Sequence, residues 1–153
     1  MSLYVLAFLI GVVAGLRAMT APAAVSWAAR LGWMNLAGSP LAFLGFAWTP
    51  YIVSLLALGE LVNDKLPKTP SRKAPAPFIA RILSGALCGA AIGADGGALA
   101  AGLVAGALGA VAGTLGGYEL RSRLVRAIGG KDLPIALLED ACAIALALWV
   151  VSR

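Results

Sequence analysis

Five stretches of apolar sequence, at about 3–29, 48–64, 78–94, 97–120 and 134–152, make up most of this chain, and only short polar segments interrupt them. A helix needs roughly 20 mostly apolar residues to cross a ~30 Å hydrocarbon layer, and each stretch is near that length. All five are predicted to be helices, because an open strand edge finds no hydrogen-bond partner in hydrocarbon. Composition agrees: 61% of the 153 residues are apolar before the 19 Gly are counted, and 12% are charged. A water-soluble domain of this size cannot bury that share of its residues. The chain therefore reads as an all-α polytopic membrane helix bundle of about five spans. Residues 1–153 form a single integral membrane domain.

The N-terminal run MSLYVLAFLIGVVAGLRAMTAPA has the apolar stretch of a secretory signal but no basic region before it. It is read as a retained first helix. The segment 37–47 (AGSPLAFLGFA) is too short to cross. It is either an interfacial or re-entrant helix or an extension of span two through a kink at Pro50.

Positive charge is concentrated in two places. The linker DKLPKTPSRKAPAP carries Lys65, Lys68, Arg72 and Lys73, with Arg81 just beyond; the segment after span four carries Arg121, Arg123, Arg126 and Lys131. The positive-inside rule puts both in the cytoplasm. Five spans then place the N-terminus inside and the C-terminus outside, in a bacterial cytoplasmic membrane. The net charge of +5 is assigned to these loops, and nucleic acid is not expected as a partner. There are no histidines, which removes the usual zinc, haem and Ser-His or Cys-His sites. No enzymatic activity, metal or cofactor is expected. Cys88 and Cys142 lie in apolar runs and are read as reduced core residues.

Span three and its exit carry Gly85, Gly89, Gly93 and Gly97 at intervals of four, and Gly102, Gly106, Gly109, Gly113 and Gly117 follow in span four. Small residues four apart let two helix backbones approach closely in lipid. Gly85, Gly89 and Gly93 are therefore assigned to helix packing, either between spans three and four or between subunits.

The ionisable residues within spans are the candidates for a binding site. An Arg at the centre of a span costs ~2.5–3.5 kcal/mol on insertion scales and is seldom left unpaired. Arg17 occupies that position, with Gly15 before it and Thr20 and Pro22 after it. A helix break there would present backbone N–H groups and a positive helix end beside the guanidinium, suited to an anion or to a carboxylate from another span. Glu60 and Asp64 lie four apart on one face of span two, and Glu139 and Asp140 lie in span five. Glu119 is read as an interfacial partner of Arg121 or Arg123, or as a cap on a broken span four.

Setting residues 11–32 against 109–130 aligns Gly11, Val13, Ala14, Gly15, Ala29 and Gly32 with identical residues, and ALGE (57–60) and ALLE (136–139) follow the two segments. This register makes the two pairs inverted repeats around span three. An alternative register pairs Glu60-Leu61 with Glu119-Leu120 in parallel.

The runs GLRAMTAPAAVSWAARLGW, LALGELVNDKLPKTPSRKAP, RILSGALCGAAIG and LPIALLEDACAIALA resemble the small bacterial integral-membrane proteins of domain-of-unknown-function family four-one-two-six. The resemblance covers nearly the whole chain. It implies a polytopic helical membrane protein and brings no activity with it.

The residues themselves suggest a transporter or channel for a small ion or solute. In that reading Arg17, Thr20, Glu60 and Glu139 form a polar site near the midplane, with Asp64, Asp140 and Arg81 toward the cytoplasmic mouth. The alternative is a structural or assembly protein in which Arg17 and Glu60 form a buried clasp. Expected partners are membrane lipids and further copies of the chain in a homo-oligomer.

Overall fold

The computed structural model describes residues 2–36, 38–63, 75–130 and 132–152. Asp64 and the cations Lys65, Lys68, Arg72, Lys73 and Lys131 lie outside the described residues. The described chain is all-helical: α1 (Leu3–Leu16), α2 (Thr20–Arg30), a 3-10 turn (Ala42–Gly45), α3 (Thr49–Asn63), α4 (Pro75–Asp95), α5 (Leu99–Ala127) and α6 (Asp132–Val151). Residues 77–95 of α4, all of α5 and residues 133–151 of α6 are long and apolar enough to cross a membrane. Their outward faces carry large apolar side chains such as Leu83, Leu108 and Leu137, each more than half exposed. So continuous an apolar exterior is suited to lipid.

The core is the triangle of α1, α4 and α5, held together by glycine. A β-carbon on Gly89 would collide with the Gly102 carbonyl, one on Gly106 with the Gly85 carbonyl, and one on Gly11 with the Gly106 carbonyl. Backbones this close replace side-chain packing with direct dispersion contact, which is how helices associate in lipid. α4 and α5 are antiparallel. Gly97, with φ +80°, reverses the chain between them, and Ala98 N–H donates to Gly93 O at 2.6 Å.

The direction of α1 departs from the sequence reading. Leu3 packs at Gly96, Gly11 at Gly106, and Gly15 at Ala110 and Thr114. α1 therefore runs parallel to α5, starting at the end of the bundle that holds the α4–α5 turn. α2 then returns toward that end, where Asn35 N–H donates to Asp95 Oδ1 at 2.7 Å. Residues 3–29 thus form a helical hairpin and not one continuous helix, with an apex at Arg17, Ala18 and Met19. The apex lies level with Arg81, which is 14 residues from Asp95 along α4, or about 21 Å at 1.5 Å per residue. It stops short of the opposite end, here called the basic end because Arg121, Arg123 and Arg126 lie there.

α3 runs antiparallel to α2. Tyr51 and Ser54 meet Trp27 near the turn end, and Glu60 meets the apex. α6 runs from the apex at Glu139 and Asp140 up to Val151 beside α2. The start of α1 at Leu3 therefore falls at the same end of the bundle as the end of α6 at Val151. The inverted register fails for the same reason, since α1 and α5, the helices it sets in opposition, run in parallel. The alternative register pairs residues of α2 and α3 with those of α4 and α5, and those helices do run in matching directions. Among its described residues, 38–47, the segment 37–47 contains one 3-10 turn and no longer helix. Pro50 stands in the first turn of α3, where its fixed φ suits helix initiation, so it starts the helix and does not kink it.

Candidate functional site

The hairpin apex is the polar centre of the molecule, and α3, α4, α5 and α6 each send a side chain to it. The need is local. Where α1 ends and α2 begins, the last carbonyls and first N–H groups have no helical partner, and at membrane depth each must find one. Arg17 is the first residue off α1, with extended backbone at φ −144° and ψ 110°.

The two broken ends receive opposite charges. At the end of α1, Gly15 O accepts from Arg81 Nη1 at 2.9 Å and from Thr114 Oγ1 at 3.4 Å, and Leu16 O accepts from Arg17 Nη1 at 2.9 Å. At the start of α2, Ala18 N–H and Met19 N–H donate to Glu60 Oε2 and Oε1, both at 3.0 Å. Cations on a helix C-terminus and a carboxylate on an N-terminus both oppose the helix dipole, each contributing about 0.3–2 kcal/mol. Ser84 Oγ completes the wrapping by donating to Ala18 O at 2.5 Å.

The Arg17 side chain is fully buried. Its Nη1 donates to Glu139 Oε1 at 2.8 Å and its Nε to Asp140 Oδ1 at 2.5 Å. The guanidinium fork reaches two neighbouring carboxylates at once, a geometry that Lys cannot reproduce. Arg121 Nη1 lies 4.0 Å from Glu139 Oε1, so among the described residues the cluster sets Arg17, Arg81 and Arg121 against Glu60, Glu139 and Asp140.

Among the residues singled out in the sequence, Arg17, Glu60, Arg81, Glu139 and Asp140 meet at this apex. Thr20 opens α2 but does not join the network; it lines an apolar groove instead. Asp64 lies outside the described residues. Gly85, Gly89 and Gly93 lie against α5, away from the apex. Arg17 pairs with Glu139 and Asp140 and not with Glu60, because Glu60 is taken up by the exposed N–H groups of the break. Glu119 is exposed on an unbroken α5, so it caps no half-helix. Sequence reasoning missed Ser84 and Thr114, which are unremarkable polar residues in apolar runs, and the approach of Arg121 to Glu139. The position of Ser84 three residues after Arg81, on the same helical face, was the available signal.

Two cavities among the described residues adjoin the apex. A groove of about 460 Å³ between α2, α3 and α6 is lined almost wholly by apolar groups. A smaller cleft of about 130 Å³ between α5 and α6 reaches Leu16, Arg121 and Glu139.

No curated protein and no solved structure matches the chain. A family model described as "Domain of unknown function (DUF4126)" matches residues 4–152. That match takes in every apex residue and, apart from Leu3, every helix described above, and the chain belongs to the DUF4126 family.

Proposed function

We propose that this protein is a small membrane transporter or channel for an ion or small solute, with the α1–α2 hairpin as its closure. In this reading α3 to α6 cross the membrane and the hairpin enters from the face that carries both termini. The basic end faces the bacterial cytoplasm by the positive-inside rule. Copies associate as a homo-oligomer, because a single chain walls any polar path with only one layer of helices. No catalytic step is part of the reading.

The observation that carries it is the apex itself, a chain reversal at membrane depth that α3 to α6 hold largely through ion pairs and hydrogen bonds. Ion pairs are a poor way to gain stability, since apolar residues of similar volume often do as well or better. They are, however, readily loosened when a carboxylate takes up a proton or a cation. Intramembrane carboxylates and arginines mark such paths. Glu60, Glu139 and Asp140 are the groups that would take up H⁺ or a cation, and Arg17 holds the last two in place.

A second reading makes the apex a structural clasp with no transported species. The full burial of Arg17 and the apolar lining of the larger groove favour it. Proteoliposomes separate the two. Flux of H⁺, K⁺ and Cl⁻ is followed under an imposed potential for the wild type, Glu60→Gln and Arg17→Ala. Transport requires flux that at least one substitution changes. Flux that neither changes in folded protein removes the assigned site, and no flux of any of the three supports the clasp.

A further inference from the structure

We propose that the groove between α2, α3 and α6 is a phospholipid site, holding one acyl chain with its anionic headgroup at Arg30. α3 and α6 each pack on α2 and leave a gap between them. The gap is walled by Ala24, Trp27, Leu31, Leu58, Ala147 and Leu148. Of its polar side chains, the Trp27 indole N–H already donates to Ser54 Oγ at 2.8 Å. A buried water needs two to four polar partners, and an apolar cavity stays dry. The occupant is therefore hydrocarbon.

Its length suits an acyl chain. From Thr20 to Leu31 the groove follows 11 residues of α2, about 17 Å. That is close to one leaflet of a ~30 Å hydrocarbon layer. The mouth has the features of a headgroup interface. Leu31 and Trp33 line it, Trp33 is half exposed, and exposed Arg30 stands one residue before Leu31. A cation beside an interfacial tryptophan fits a phosphate. The floor is Thr20, one residue from the Glu60 cap, so the lipid tail ends against the hairpin apex. The inference stands whether or not the apex conducts.

Native mass spectrometry of the full chain, released from mixed phosphatidylglycerol and phosphatidylcholine bilayers, tests it. The wild type is expected to retain one phospholipid, with phosphatidylglycerol favoured. Arg30→Glu should lower that preference about fivefold or more without emptying the site. Ala147→Phe, or independently Ala57→Phe from the α3 wall, should empty it. Helix content and elution volume confirm folding of each variant. Folded wild type that retains no lipid, or retention that neither phenylalanine reduces, overturns the proposal. So does a dimer that Ala147→Phe dissolves, because the groove would then hold a second copy.

Discussion

Glu60 and Met19 lie 41 residues apart in the chain, and the Glu60 carboxylate accepts the Met19 N–H at 3.0 Å at the point where the first helix pair reverses. This bond and its twin from Ala18 make α3 the support for α2. Glu60→Gln keeps one acceptor oxygen but turns an NH₂ donor toward a backbone N–H. The expected loss is about 1–3 kcal/mol, the cost of leaving a buried donor unsatisfied. A lowered Tm of the detergent-solubilised protein checks it, and Glu60→Ala should cost at least as much.

Arg17→Ala leaves Glu139 and Asp140 with their side chains only 10% and 11% exposed and without the guanidinium between them. Removing one partner of a buried ion pair costs about 3–5 kcal/mol. Arg17→Lys should recover less than half of this, because an ammonium cannot bridge both carboxylates. The triple variant Arg17→Ala, Glu139→Gln, Asp140→Asn should be more stable than Arg17→Ala alone. Equilibrium unfolding of the four proteins gives the comparison.

Gly89→Leu drives a side chain into the backbone of α5 at Gly102 and Gly106 and should abolish assembly of the α1–α4–α5 core. Gly59→Ala and Gly116→Ala serve as controls. A β-carbon at either position meets nothing within 4 Å, and replacing a helical glycine by alanine should gain up to about 1 kcal/mol. Size-exclusion elution and thermal melting distinguish the two classes.

The convergence at the apex was legible in the sequence to the extent that charge in an apolar run must find a partner. Arg17, Glu60, Glu139 and Asp140 stand out for that reason, and they do meet. The Gly-rich faces of α4 and α5 were legible because glycines four apart define one stripe. The direction of α2 was not. A kinked crossing and a hairpin have the same composition over residues 3–29, and a mostly apolar stretch of 27 residues suits either. The positive-inside rule is silent there, because no Lys or Arg precedes α1 and Arg30 is the one cation between Arg17 and the basic linker. Only tertiary pairing, Leu3 with Gly96 and Asn35 with Asp95, resolves it. The choice of partner for Arg17 was hidden for a related reason. Once the chain reverses, the freed N–H groups compete for Glu60, and the guanidinium is left to α6.

The most direct test of this account is the sidedness of the two ends of the hairpin. Ser2→Cys and Asn35→Cys are made separately in a chain carrying Cys88→Ala and Cys142→Ala, and intact cells are treated with a membrane-impermeant maleimide. The account expects both positions to be labelled from the same face, with Arg123→Cys protected until the cells are opened. Labelling of positions 2 and 35 from opposite faces would make residues 3–29 a through-crossing and contradict the re-entrant hairpin.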